Sequence, residues 1–187
     1  MAYIINHKFN NKNQLEKQLN TILFKNHALI DLDKGGSTFN YNIPIHITYS
    51  IFQPIVDKFI SMAGDDYYVI DFWANKYKNK GFVKPHNHYP NGPDISFNEK
   101  AEEMKLKTGV YYFKKESGNL VIEEKPIEVK EDDFIVFDSK LNHWSEPNDA
   151  EERIVFSINM GYKVVIDWNE SGRKYTFLWW VNHWKKT

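Results

Sequence analysis

His86-Asn87-His88 places two imidazoles two positions apart, and in an extended chain such residues project from the same face while the one between points away. Two ring nitrogens then converge on one point. That is what a transition metal needs from a rigid scaffold, and imidazole suits iron, zinc, copper and nickel. The candidate third ligand is His143, which follows the apolar run Phe134-Ile135-Val136-Phe137, where a chain leaving one sheet delivers a side chain to the mouth of a sandwich. The sequence of 187 residues contains no cysteine, which excludes a disulfide framework, a thiolate site and a cysteine nucleophile. Any metal is therefore held by His, Asp or Glu. The remaining histidines, His7, His27, His46 and His183, read as ordinary surface or hydrogen-bonded residues.

A second candidate group follows in Arg153-Ile154-Val155-Phe156-Ser157-Ile158-Asn159. Period two puts Arg153, Val155, Ser157 and Asn159 on one face and three apolar residues on the other. With both faces covered, an inward guanidinium needs an anionic partner, because burying it unpaired is costly. A carboxylate ligand supplies such a partner, planar and bidentate. The plainer alternative is a surface ion pair with Glu151 or Glu152. Ser157 adds a hydroxyl on the face of Arg153.

These residues need elements to position them. Leu15, Leu19, Ile22 and Leu23 recur at helical intervals and predict a helix over residues 13–25. Lys34-Gly35-Gly36-Ser37 reads as a chain break. Ile51, Ile55, Phe59 and Ile60 predict a second helix over residues 49–62, with Pro54 tolerable in its first turn. Short strands are expected at 67–77, 82–88, 109–114, 119–123, 127–130, 134–137, 153–162, 163–168 and 175–181. Strands this close together, with no helices between them, cannot build a parallel βαβ sheet. A mainly β (α+β) jelly roll with N-terminal helices packed outside is the simplest closed solution. The 16% aromatic content suits such a β-rich core.

The length fits one domain, 1–187, divided into helical support (1–65), a β core (66–162) and C-terminal strands (163–187). A formal net charge of −1 gives no electrostatic reason to expect nucleic acid as a partner. The start lacks the pattern of a signal peptide and no apolar run spans a bilayer, so a soluble cytoplasmic protein without a membrane partner is expected. Residues 89–107 are irregular, with Pro90, Asn91, Gly92 and Pro93 followed by a charged run. They read as a functional flap or as a surface insertion. The aromatic run at residues 175–184 reads as core packing, a sugar-binding face or a dimer contact.

In order, the chain carries Trp73-Ala74-Asn75-Lys76-Tyr77, His86-Asn87-His88, Thr108-Gly109-Val110-Tyr111-Tyr112-Phe113, Ser117-Gly118-Asn119-Leu120, His143, and Arg153 through Asn159. This ordered set resembles the Fe(II)- and 2-oxoglutarate-dependent dioxygenases, in particular the prolyl-hydroxylase-like branch common in bacteria and their phages. The likeness covers roughly residues 66–162. It implies a double-stranded β-helix (jelly roll, cupin-like) with iron near its open end and 2-oxoglutarate as cosubstrate. His86 and His143 match the family's histidine ligands. Arg153 matches the residue that binds the distal carboxylate of 2-oxoglutarate, with Tyr112 assisting. Asn75 and Asn159 match recurrent polar positions that line the site. The implied reaction hydroxylates a small-molecule or side-chain substrate with molecular oxygen, releasing succinate and CO2, and residues 89–107 are placed to act as a substrate lid.

One departure matters. Better-known members carry an aspartate two positions after the first histidine, and this chain has His88. The metal set is therefore expected to be His86, His88 and His143, the alternative being that a carboxylate such as Asp94 folds in from the flap. Two rival functions stay open: a cupin-like three-histidine metalloenzyme that does not use 2-oxoglutarate, and a non-catalytic jelly-roll binding module. Substrate and oligomeric state are not legible. Rich Lys and Asn usage points to an AT-rich genome, of the kind phages and other viruses carry.

Overall fold

The computed structural model describes residues 2–25, 27–30, 34–39, 44–88, 102, 104–115, 117–149 and 151–162. Nine strands and three α-helices are defined among them: β1 (Tyr3–Asn6), α1 (Lys12–Leu19), β2 (Gly35–Ser37), α2 (Ile45–Thr48), α3 (Gln53–Ala63), β3 (Tyr67–Lys78), β4 (Lys107–Lys114), β5 (Leu120–Ile122), β6 (Lys125–Ile127), β7 (Asp133–Asp138), β8 (His143–Ser145) and β9 (Glu152–Tyr162). Six of the strands form one antiparallel sheet in the order β1-β7-β4-β9-β3-β2, and a small sheet follows the order β6-β5-β8.

Strand alternation sorts the side chains of the large sheet onto two faces. Phe72, Tyr111, Phe113, Phe134, Phe156 and Ile158 point to one of them, where they pack with Leu15 and Leu19 of α1 and Phe52, Ile55 and Phe59 of the α3 region. Tyr77, Val110, Tyr112, Ile135, Phe137 and Val155 point to the other, where Leu120 and Ile122 of the small sheet close over them. Each face thus buries a separate apolar cluster, the helices outside and the small sheet opposite. This is the expected jelly roll. Phe72 and Phe156 stack at 5.5 Å, and Tyr111 stacks on Phe134 at 4.0 Å, so cross-strand aromatic pairs pin the register on the helical face. The Tyr111 hydroxyl donates to Asp132 Oδ1 at 3.0 Å, and Lys12 of α1 donates to the same carboxylate at 2.7 Å, which ties the helix to the turn before β7.

The elements differ from the expected ones in several places. α1 ends at Leu19 rather than at residue 25. The second helical segment is divided: Tyr49 is extended (φ −129°, ψ 90°) between α2 and a 3-10 turn at Ser50–Phe52, and Pro54 sits in the first turn of α3, where its missing N–H has no intrahelical partner to lose. The break expected at residues 34–37 is strand β2, paired with Lys76 and Tyr77. Gly35 permits this, since a Cβ there would lie 2.5 Å from the Lys76 carbonyl oxygen. Residues 82–88 do not form a continuous strand; single bridges hold them, Ile30↔Val83 to a loop and His86↔His143 to the start of β8. Most of the flap (89–101 and 103) and the C-terminal strands expected beyond residue 162 lie outside the described residues. No described helix is long and apolar enough to cross a membrane.

Candidate functional site

A cavity of about 210 Å³ opens between the two sheets, lined by His86, His88, His143, Tyr112, Arg153 and Ser157, among others. β9 supplies one wall. Its register sets Arg153 opposite Tyr77, Val155 opposite Asn75 and Ser157 opposite Trp73 on β3. Both Asn75 and Ser157 line the cavity. Asp94, the alternative ligand, lies outside the described residues.

The three histidines arrive from different directions. His143 opens β8, pairing with Ile122 of β5, and exchanges both backbone hydrogen bonds with His86: N–H to O of 3.0 Å one way and 2.8 Å the other. The His88 N–H donates to the Ser139 carbonyl at 3.0 Å. The rings stand 4.4 to 5.0 Å apart, centroid to centroid, and one ligand atom from each lies within 4.8 Å of the others. Among the described residues no carboxylate joins this cluster.

Burial holds all three in the neutral form that can donate a lone pair. It pushes the His143 pKa down to about 4, with a further contribution from His86. His88 falls well below the ordinary value through burial and its histidine neighbours, and His86 is lowered by burial. Backbone carbonyls fix the tautomers. His86 Nδ1–H donates to Lys84 O at 2.7 Å and His143 Nδ1–H to Leu141 O at 3.0 Å, leaving Nε2 of each ring free. The Asn159 amide nitrogen lies 3.4 Å from His88 Nδ1, and its oxygen accepts from Thr108 Oγ1 at 3.2 Å, itself 2.8 Å from Ser139 Oγ. An amide presents either its oxygen or its NH2 group to a ring nitrogen. Turned over, with its oxygen to the ring, the Asn159 amide would keep the His88 proton on Nδ1 and free Nε2 here too.

Arg153 is fully buried, with 0% of its surface exposed. Its Nη1 donates to Glu146 O at 3.0 Å, Nη2 donates to Ser145 Oγ at 2.9 Å, and longer contacts reach Ser117 O and Gly81 O. The guanidinium lies over the Tyr77 ring, 4.6 Å from its centroid. Nε is buried without a hydrogen-bond partner. Glu152 pairs instead with Lys76 and Lys114, and among the described residues no carboxylate pairs with Arg153. All its acceptors are neutral, so the buried positive charge lacks an anion. Burial also drives the Tyr112 hydroxyl pKa upward and that of Tyr77 up to about 12, against the opposing pull of Arg153. Both stay protonated donors beside the guanidinium.

Gly118 makes room for this group. Its φ is +73°, and a Cβ would stand 2.4 Å from Arg153 Nη1. Gly118→Ala is expected to cost about 1–3 kcal/mol, from the left-handed backbone alone upward. The unfolding midpoint in urea measures it.

The sequence offered no signal for His27, which also lines the cavity. It lies in a loop after α1 with no ligand-like spacing to the other histidines.

No protein-family model matches the chain, and no curated protein sequence does. Solved structures do match. HygX from Streptomyces hygroscopicus, with nickel and 2-oxoglutarate bound, superposes with a TM-score of 0.67 at 9% identity, covering 95% of this chain and 89% of that one. The viral collagen prolyl hydroxylase of Paramecium Bursaria Chlorella virus-1, in its 2-oxoglutarate complex, gives 0.57 at 15% identity, covering 87% and 96%. A prolyl-4-hydroxylase from Pseudomonas putida gives 0.52 at 11% identity, covering 87% and 92%. The chain has the double-stranded β-helix fold of these proteins.

Proposed function

We propose that the chain is a non-haem Fe(II)- and 2-oxoglutarate-dependent dioxygenase, a single domain with residues 66–162 as its core, that hydroxylates a small-molecule or side-chain substrate. The observation that carries this reading is one cavity holding both a convergent set of three neutral imidazoles and a buried guanidinium with an unpartnered Nε. A metal and a dicarboxylate are the two groups that such a cavity fits, and the superposition on proteins crystallised with 2-oxoglutarate supports the pairing.

The residues present fit both groups. His86, His88 and His143 would hold the metal through Nε2. Arg153 would take the distal carboxylate of 2-oxoglutarate, with the Tyr112 and Ser157 hydroxyls beside it. When bound, iron and 2-oxoglutarate supply the oxidising chemistry, in which molecular oxygen and the keto acid yield succinate, CO2 and a hydroxylated substrate carbon. The protein's own part is orientation and exclusion of water. The carbonyls of Lys84 and Leu141 keep the His86 and His143 rings turned inward, and Asn159 does so for His88. Asn75 lines the same cavity, two residues before Tyr77 on β3.

Asn159→Leu removes the group that orients His88, and loss of such a partner lowers metal affinity by about 10- to 100-fold. Competition for Zn(II) against a chelating dye measures it.

The function itself is tested by anaerobic titration of the Fe(II)-loaded protein with 2-oxoglutarate, following the visible charge-transfer band of the chelate. A saturable band is the expected result. Iron uptake without a band would favour the cupin-like alternative, which the three-imidazole set also suits but which gives Arg153 no ligand. No iron uptake would overturn both.

A further inference from the structure

The end of the cavity away from Arg153 is walled by a continuous run of rings. His27 meets Phe39 edge-on at 5.3 Å, Phe39 meets Trp73 at 5.0 Å, and Trp73 lies 5.6 Å from His88. The run ends on the histidine cluster, where a reacting carbon would have to sit. The Leu29 backbone N–H donates to His27 Nδ1 at 3.3 Å. With Nδ1 engaged as an acceptor, the proton of the neutral ring is on Nε2, and among the described residues nothing accepts it. Arg153 is the one charged side chain among the described residues that line the cavity. Under the function proposed above it is paired with the cosubstrate and the imidazoles are neutral, so a cationic substrate group would meet no counter-charge in the described wall.

We propose that His27 is a specificity-determining residue, donating a hydrogen bond from Nε2–H to an uncharged substrate group that carries an acceptor oxygen and packs its apolar part on Phe39 and Trp73. The inference rests on the proposed function for its account of the Arg153 end. A cationic group at the same place would be desolvated without a partner, which the cavity penalises. Analogues that lack the acceptor forgo this hydrogen bond.

The test uses benzamide, which joins an apolar ring to one strong acceptor, and benzylammonium, a cation of the same size. Both are titrated into full-length protein carrying 15N-labelled histidine and loaded with Zn(II), with and without 2-oxoglutarate. Two variants separate recognition from folding. His27→Asn keeps an acceptor where Nδ1 stood but loses the outer donor, and His27→Gln keeps a donor where Nε2 stood. Benzamide is expected to shift the His27 Nε2 signal, to bind His27→Gln within about twofold of wild type and His27→Asn about tenfold more weakly, and to outcompete benzylammonium. Affinity for 2-oxoglutarate is expected to be the same in both variants.

The opposite ranking of the variants would show that His27 only holds its loop. That result overturns the proposal, as do equal binding by all three proteins, tighter binding of the cation, or no shift at His27 in wild type. Failure of 2-oxoglutarate to bind wild type is read separately by calorimetry. It strikes the function proposed above, while the His27 comparison with Zn(II) alone still stands or falls by its own result.

Discussion

Under the proposed function, Arg153→Met is expected to lose 2-oxoglutarate binding while the histidine cluster still takes up a divalent ion. A buried charge that meets its counter-charge only on ligand binding contributes strongly to that step. Removing one partner of such a pair costs about 2–5 kcal/mol, or roughly 30- to 5000-fold in affinity. Methionine keeps the apolar length of the side chain but leaves the Glu146 carbonyl without its donor and Ser145 Oγ with the Val83 N–H alone, so some stability is lost as well. Retained Zn(II) uptake is therefore the control for folding. Arg153→Lys keeps the charge without the planar fork and is expected to fall between the two proteins. Calorimetry of 2-oxoglutarate binding to the Zn(II)-loaded proteins checks the ranking. Equal affinity in wild type and Arg153→Met would remove the clamp from the mechanism.

The metal-free protein loses stability as the pH falls from about 6.5 towards 4. The sign follows from the direction of the shifts. His143 titrates near its ordinary value of 6.5 when unfolded and at about 4 when folded, so between those values the unfolded chain binds the proton and the fold does not. Stability is full above 6.5 and drains away down to the folded pKa. His143 alone accounts for about 3 kcal/mol across that window, and His86 and His88, shifted the same way, add to it. Urea unfolding in the presence of a chelator, at a series of pH values, should show the loss. His143→Asn should flatten the curve, and an unchanged slope in that variant would mean that the acid sensitivity lies elsewhere.

The β strands near the site are legible in the sequence because their two faces differ in kind. In β9 the alternation of Arg153, Val155 and Ser157 with Ile154, Phe156 and Ile158 follows from covering one face with helices and the other with the cavity. The His-x-His spacing brings two rings together even though residues 82–88 lack a continuous ladder, since single bridges at Val83 and His86 hold the chain extended enough. Other features have no local signature. Gly35-Gly36-Ser37 has the composition of a turn and becomes a strand only because β3 needs a partner that can approach this closely. Strand β1 presents Tyr3 and Ile4 exposed and packs only Ile5 against the core, too little to create a pattern. The helical stripe through residues 49–62 ignores the extended residue Tyr49, which alternation of apolar residues cannot reveal. His27 reaches the cavity through the path of a loop, and loop paths are set by tertiary packing rather than by periodicity.

The paired backbone hydrogen bonds between His86 and His143 join points separated by 57 positions (143 − 86). An ion bridging those two side chains would close the intervening chain into a loop, as a covalent cross-link does. The entropy removed from the unfolded chain by such a closure grows only with the logarithm of loop length, but for a loop of this size it is already large. The ion would then be a staple across the mouth of the barrel as much as a reagent. Amide hydrogens of β8 and of residues 83–88 would exchange slowly in the loaded protein and fray together, ahead of the large sheet, once a chelator takes the ion away.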